Sequence, residues 1–362
     1  MSDDYYERLV DETALASYLT ANLGAADTYE VRRHREGHSN ETLFVTWGDR
    51  QLVLRRPPPG ATAETAHDVL REYRVTDALV DTAVPVPEPL LACEDHDVIG
   101  SDFYVMERLE GEVLRESEPE AFGTPDRRRR LGEELIDVLA AIHDVDYEAV
   151  GLSEFGHPDG YIDRQVDRWG QQLMWAFDRT AEEREVPALY DVGAWLQGHV
   201  PDDPPDTLVH GDYKLDNVMF ALAEPGEASG DAGYPELVGV FDWELSTLGD
   251  PRTDLGWLLS NWRDPKDPEP VIPELTKTFM EREGYPTRLE LVDRWESHTG
   301  LSFEHERFYR TLAVYKLAAL GEMFYRRYLE GNADDPLYPL MEDRVPALAE
   351  RAERIIDGEE PL

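Results

Sequence analysis

Two short stretches hold the residue types that could do chemistry. His210-Gly211-Asp212-Tyr213-Lys214-Leu215-Asp216-Asn217 places an Asn five residues after an Asp, and Phe241-Asp242-Trp243-Glu244 adds a second Asp at the end of an apolar run. Phosphoryl transfer asks for such groups: oxygen ligands that hold magnesium against a triphosphate, and a carboxylate that orients an acceptor hydroxyl in line. Asp212 would accept or orient the hydroxyl proton, and Asn217 and Asp242 would hold the metal. His210 either supports the loop through a hydrogen bond or acts as a base, and support is favoured because Asp212 already stands in the proton-accepting position. A lone His-Gly-Asp would carry little weight, since Asp and Asn are common in turns. The spacing and the second Asp carry the reading, together with Gly249-Asp250-Pro251 and Asp254-Leu255 just beyond. Asp250 and Asp254 read as structural, capping the next helix and anchoring the loop.

Residues 207–209, 218–220 and 237–241 are short apolar runs that would hold these groups on strand ends. Upstream, residues 11–23 have the apolar spacing of a helix, and 29–33, 42–47 and 51–55 read as three strands. The loop joining the first two contains Gly37, Ser39 and Asn40, whose backbone N–H groups could lie over nucleotide phosphates. Residues 63–80 are helical in pattern, and 84–89, with three prolines, form an extended linker. Residues 126–143 and 303–329 carry helical apolar stripes, and 221–235 read as a surface loop.

Three motifs together resemble the aminoglycoside phosphotransferase and choline kinase superfamily: Gly-His-Ser-Asn at 37–40, Leu-Arg-Arg-Pro-Pro at 54–58, and Asp-Trp-Glu-Leu-Ser-Thr-Leu-Gly-Asp-Pro at 242–251. The likeness is strongest to the branch whose domains are fused, in some animal proteins, to acyl-CoA dehydrogenases. It implies an α+β, two-lobe protein kinase-like fold, with a small β-rich nucleotide-binding lobe at 1–106 and a larger helical lobe at 107–362. It also implies a strand lysine on the α and β phosphates, yet no lysine precedes Lys214. Arg55 is the expected substitute, with Arg56 as runner-up because neighbouring strand residues face opposite ways. Glu72 is the expected partner of that cation. Residues 103–109 become the hinge, where the backbone of Glu107 to Leu109 meets the adenine edge and Met106 packs nearby. The helical insertion at 156–199, with Tyr161, Trp169, Trp175, Phe177 and Trp195, and the later Trp257, Trp262, Tyr315 and Tyr325 are candidates for an acceptor pocket or for plain aromatic packing.

Composition bounds the partners. The chain has 362 residues and a formal net charge of -42, from 77 acidic and 35 basic side chains. Such a surface repels nucleic acid and anionic membranes. With only four lysines (214, 266, 277 and 316) and dispersed acids, it reads as an adaptation to a salt-rich cytoplasm. No run of 18 apolar residues or secretory leader is visible, so a cytoplasmic protein is expected. The single cysteine, Cys93, excludes an intramolecular disulfide and a cysteine zinc cluster.

The expectation is therefore a phosphotransferase that uses ATP, or another nucleoside triphosphate, with Mg2+ on a small-molecule hydroxyl. The branch resemblance suggests a hydroxyacyl-CoA acceptor, with Arg127 to Arg130, Arg326 and Arg327 as possible counter-charges for its phosphates. An aminoglycoside or choline-type acceptor is the alternative, and a non-catalytic nucleotide-binding regulator is the alternative of another class.

Overall fold

The computed structural model describes residues 3–34, 40–59, 68–202, 204–222, 234–332 and 335–362. The chain divides into two compact units, Met1–Gly111 with Val238–Ser246, and Glu112–Leu237 with Thr247–Leu362. A linear boundary cannot express this division, because the short segment that carries Asp242 returns to the first unit.

The first unit is built on an antiparallel sheet of β1 (Tyr29–His34), β2 (Glu41–Trp47), β3 (Arg50–Arg56), β4 (Pro89–Cys93) and β5 (Phe103–Glu107), in the order β1-β2-β3-β5-β4. Strand alternation decides what each face does. Leu43, Val45, Leu52, Leu54 and Val105 point to one side and share a core with Leu9, Leu15 and Leu19 from α1 (Asp3–Leu9) and α2 (Glu12–Leu23). Val53, Tyr104 and Met106 point to the other side and pack on Val69 of α3 (Val69–Leu79). Arg55 has the parity of Val53, and Arg56 that of Leu54.

Helix starts follow local capping chemistry. The Asp11 carboxylate accepts the Thr13 and Ala14 N–H groups, and Asp68 accepts the Arg71 N–H at 2.9 Å, each such cap being worth about 1 kcal/mol. The Asp68 cap sets the start of α3 at Val69 rather than at the expected 63; residues 60–67 lie outside the described set. The short α4 (His96–Ile99) precedes β5, and Cys93 is a buried free thiol.

The second unit is mostly helical: α5 (Pro125–His143), α6 (Tyr161–Thr180), α7 (Ala188–Gly198), α8 (Arg252–Ser260), α9 (Arg288–Thr299), α10 (Glu306–Leu329) and α11 (Met341–Asp357). Helix α10 is its centre and packs on α6, α8 and α11. The short strands β6 (Thr207–Val209), β7 (Val218–Phe220) and β9 (Thr247–Gly249) lie in this unit, while β8 (Leu237–Val240) leads into the segment of the first unit that carries Asp242. β6 pairs antiparallel with β9, so that the chain leaves β6 directly into His210. Among the described residues no helix is long and apolar enough to cross a membrane.

Candidate active site

In the first unit, sheet parity turns Arg55 toward α3. Its Nη2 lies 3.2 Å from Glu72 Oε1 and 3.5 Å from Asp242 Oδ1, while Nη1 donates to Thr42 Oγ1 at 3.0 Å. Burial alone lowers the guanidinium, but the charges of Glu72, Tyr104, Asp242 and Glu244 outweigh it, and the group stays above its ordinary value. Burial lifts Glu72 to about 7, against the pull of Arg55 and with help from the negative Asp242 and Glu244. The contact is an ion pair, with a Glu72 carboxylate made unusually basic by burial. Arg56 points the other way and is consumed by the fold: its guanidinium donates to the carbonyls of Leu9, Ile99 and Pro57.

Asp242 follows β8, whose last residue is tied to the linker by Val240 N–H donating to Pro85 O at 2.8 Å. Asp242 itself sits in the left-handed region at φ 65°, ψ 55°, a conformation that non-glycine residues adopt at some strain and that is common at functional sites. Its side chain is 31% exposed. Asn40 is buried, and neither side-chain polar atom finds a partner among the described residues. Ser39, the other phosphate-loop candidate, lies outside the described residues. In the hinge, Met106 is buried against α3, Glu107 N–H donates to Glu88 O, and Arg108 N–H donates to Gln51 O. The sheet therefore uses two backbone donors of the expected hinge.

In the second unit the loop after β6 is held from below by Asp254, at the start of α8. Its two carboxylate oxygens accept the N–H groups of His210 (2.6 Å) and Gly211 (2.8 Å), and His143 Nε2 lies 3.4 Å away. Trp295 Nε1 donates to His143 Nδ1, which leaves the proton on Nε2 to face the carboxylate. Despite its burial, these histidine contacts keep Asp254 below the usual aspartate range. The buried His210 ring accepts the Asp212 N–H through Nδ1 at 3.2 Å, a contact within the loop. Asp250 accepts the Arg252 N–H and the Tyr309 hydroxyl, as a helix-start residue would.

Asp212 is thus delivered on a braced turn. Its carboxylate meets Lys214 Nζ at 2.7 and 2.9 Å and Asn217 Nδ2 at 2.9 Å. Burial pushes the carboxyl up, but Lys214 and Lys316 overcome it and hold Asp212 below its ordinary value. Asn217 also donates from Nδ2 to Asp212 O, so its amide is turned with Oδ1 away from these bonds. Lys316 of α10 donates to Gly211 O at 2.6 Å, a contact with no local sequence signal. Among the described residues no group of three His, Cys, Asp or Glu forms an all-protein metal cage. Magnesium takes hard oxygen donors, of which the first unit offers the Asp242 carboxylate and the second unit, taken by itself, the Asn217 amide oxygen.

The aromatic candidates divide. Trp257 and Trp169 flank the Lys316 ammonium at 3.8 and 5.3 Å from their ring centroids. Trp262 donates to Pro286 O, Tyr161 contacts Thr253 Oγ1, and Tyr325 lies under Arg184, all as packing residues. Trp195 stacks on His199, Phe177 packs on Tyr190, Tyr315 is buried, and the half-exposed Trp175 carries Arg326 on its face. The arginines expected to answer acceptor phosphates are already engaged: Arg128 with Glu118, Arg129 with Glu290, Arg130 with Glu134, and Arg326 with Glu330. Arg127 donates to Ala121 O, and Arg327 lies against Phe324.

A small antiparallel-sheet unit, a larger helical unit and the family match that follows make the chain a small-molecule kinase. The chain belongs to the phosphotransferase enzyme family, whose model matches residues 30–291. It is 34% identical over 325 residues to acyl-CoA dehydrogenase family member 11 of Rattus norvegicus, a match covering 88% of this chain and 39% of that protein. The chain thus spans about two-fifths of that relative's length. Among solved structures it is similar to a candidate aminoglycoside phosphotransferase from Ralstonia eutropha, with TM-score 0.79, 30% identity and coverage of 96% of this chain and 99% of that one. The GDP complex of aminoglycoside 2'-phosphotransferase-IIIa shares the fold at TM-score 0.62 and 15% identity, covering 94% of this chain and 99% of that one.

Proposed function

We propose that the protein transfers the γ-phosphoryl group of ATP, with magnesium, to a hydroxyl of a small molecule, and that a hydroxyacyl-CoA is the first acceptor to test. The observation that carries this reading is the state of Asp212: half-buried in a braced loop, fixed by Asn217, and kept ionised by Lys214. The acceptor oxygen attacks the γ-phosphorus, the bond to the β–γ bridging oxygen breaks, and ADP departs with that electron pair. The hydroxyl proton passes to Asp212. A carboxylate held this acidic is a poor base for a free alcohol, so its main work is orientation, and the proton moves late, as the new O–P bond acidifies the hydroxyl.

Arg55, positioned by Glu72, is assigned to the α and β phosphates, and Asn40 with Ser39 to the phosphate loop. Met106 would pack on the base, and the Glu107 carbonyl and Leu109 N–H would meet its edge. Asn217 through Oδ1 and Asp242 through its carboxylate would hold magnesium, which when bound neutralises triphosphate charge and polarises the transferring group. His210 acts as a positioning residue through the Asp212 N–H.

The test is phosphoryl transfer from ATP in concentrated KCl with magnesium. The panel is hydroxyacyl-CoA thioesters, aminoglycosides, choline and hydroxylated amino acids, with Asp212→Ala as control. A phosphorylated product absent from the control is expected. Nucleotide binding without product from any acceptor class would replace the enzyme with a nucleotide-binding regulator.

A further inference from the structure

The chain has only four lysines among 362 residues, and three of them converge on one loop. Lys214 Nζ lies 2.7 Å from Asp212 Oδ2, Lys277 Nζ lies 2.6 Å from Asp216 Oδ2, and Lys316 Nζ donates to Gly211 O. The fourth, Lys266, is exposed. In a chain of net charge -42 these three ammonium groups balance the carboxylates of Asp212, Asp216 and Asp254, so the loop is a locally neutral patch in an acidic protein.

Lys316 is the informative member. It is 8% exposed and forms no ion pair with a carboxylate among the described residues; its company is one carbonyl and the faces of Trp257 and Trp169. An ammonium has three donors, and the carbonyl uses one. Indole faces offset part of the desolvation but accept no conventional hydrogen bond. Trp257 Nε1 is a further buried donor without a partner among the described residues. Buried cations are ordinarily paired, and one left with spare donors beside a reacting carboxylate is suited to an anion that arrives.

We infer that Lys316 and Lys214, with the Trp257 indole N–H, form an anion subsite for the acceptor, so that the substrate is a hydroxy compound bearing a carboxylate or phosphate rather than a cationic sugar or choline. This rests on the phosphotransferase reading for the word acceptor, and deepens it. Lys277 pairs with Asp216 and so cancels a carboxylate of the same loop that would repel an anion.

Four lysines make the test direct. Protein grown with 13Cε,15Nζ-lysine gives four side-chain signals, assigned by single substitutions and recorded at the lowest KCl concentration that preserves the circular dichroism spectrum. The probes are 3-hydroxybutyrate, its methyl ester, glycerol 3-phosphate, glycerol and choline. The expected result is movement of the Lys316 and Lys214 signals with one or both anions, and none with ester, glycerol or choline, Lys266 serving as reference. The carboxylate and phosphate arms tell which group is held. Equal movement with the neutral probes, or a still Lys316, overturns the inference.

In transfer assays Lys316→Met should reduce the acid-over-ester preference in kcat/KM about tenfold, and Lys316→Arg should restore part of it. Loss in equal proportion for acid and ester would instead mark Lys316 as a prop for the Gly211 carbonyl and refute the subsite. Anion-dependent lysine shifts without transfer to any acceptor would support the subsite while removing the kinase reading. Transfer confined to cationic acceptors would do the reverse.

Discussion

Asp254→Asn should damage folding far more than nucleotide affinity. The wild-type carboxylate is 1% exposed and accepts two backbone N–H groups, from His210 and Gly211, with His143 beside it. Asparagine keeps the shape but turns one acceptor into an NH2 group, which then faces an N–H donor. One charge-assisted bond is lost, about 1.5–3 kcal/mol, and one buried donor is stranded, about 1–3 kcal/mol. Because these overlap, the expected loss is about 3–5 kcal/mol. Urea unfolding at fixed KCl, followed by near-ultraviolet circular dichroism, measures it. The same turn carries Asp212, so turnover should fall more than about tenfold while the nucleotide dissociation constant stays within about threefold. Acid supplies a second arm. The native Asp254 carboxyl is depressed, so its stabilisation is complete above the ordinary aspartate range and is lost as pH falls through the native value. The deficit of Asp254→Asn should therefore narrow only in acid. A stability change under about 1 kcal/mol with a large loss of nucleotide affinity would refute the anchoring role and make Asp254 a ligand-binding residue.

Asp212→Ala should cut turnover by about 100-fold or more without weakening nucleotide binding, and retained turnover would end its assigned role. Asp242→Ala should weaken magnesium-dependent nucleotide binding and leave magnesium-free binding alone, as calorimetry with and without the metal would reveal. Arg55→Met strands the buried Glu72 and should destabilise by about 3–5 kcal/mol; adding Glu72→Gln should recover most of the stability but none of the nucleotide affinity, and a double variant no more stable than the single one contradicts the pairing. Burial lowers Lys316 to about 8 from the ordinary 10.5, with Asp212 and Asp254 sustaining its charge and Lys214 and Arg168 opposing it. Preference for anionic over neutral acceptors should thus fade as pH rises through about 8 in the native protein but persist in Lys316→Arg. Dialysis into dilute buffer should unfold the protein through repulsion among its 77 acidic residues, and an unchanged circular dichroism spectrum would dismiss the salt adaptation.

By itself the sequence determined the local structure and the chemical inventory. The strands at 29–33, 42–47 and 51–55, the helix after Asp11 and the stripe of α5 were legible because alternation, helical period and capping act between near neighbours. The Asp212, Asn217 and Asp242 set could be proposed from the sequence because a rare chemistry requires a rare spacing. The described helix α3 starts at Val69 because Asp68 caps it, a position that a helical pattern alone does not single out. Helix α9 had an unused signal in Thr287 and Glu290, a capping box.

Tertiary structure decided the rest, where the deciding partners are far apart in sequence. Parity said that Arg55 and Arg56 face opposite ways; only the packing of Val53 on α3, and of Leu54 on α1 and α2, said which way was which. The acids around the Arg127 to Arg130 cluster were visible in the sequence, but not their pairing, since Glu290 meets Arg129 across 161 residues. Lys316 lies 105 residues from Gly211, and nothing near it in sequence points to the loop. Its rarity in so acidic a chain was the one available clue. Long-range electrostatics depends on distance in space, and a sequence records only distance along the chain.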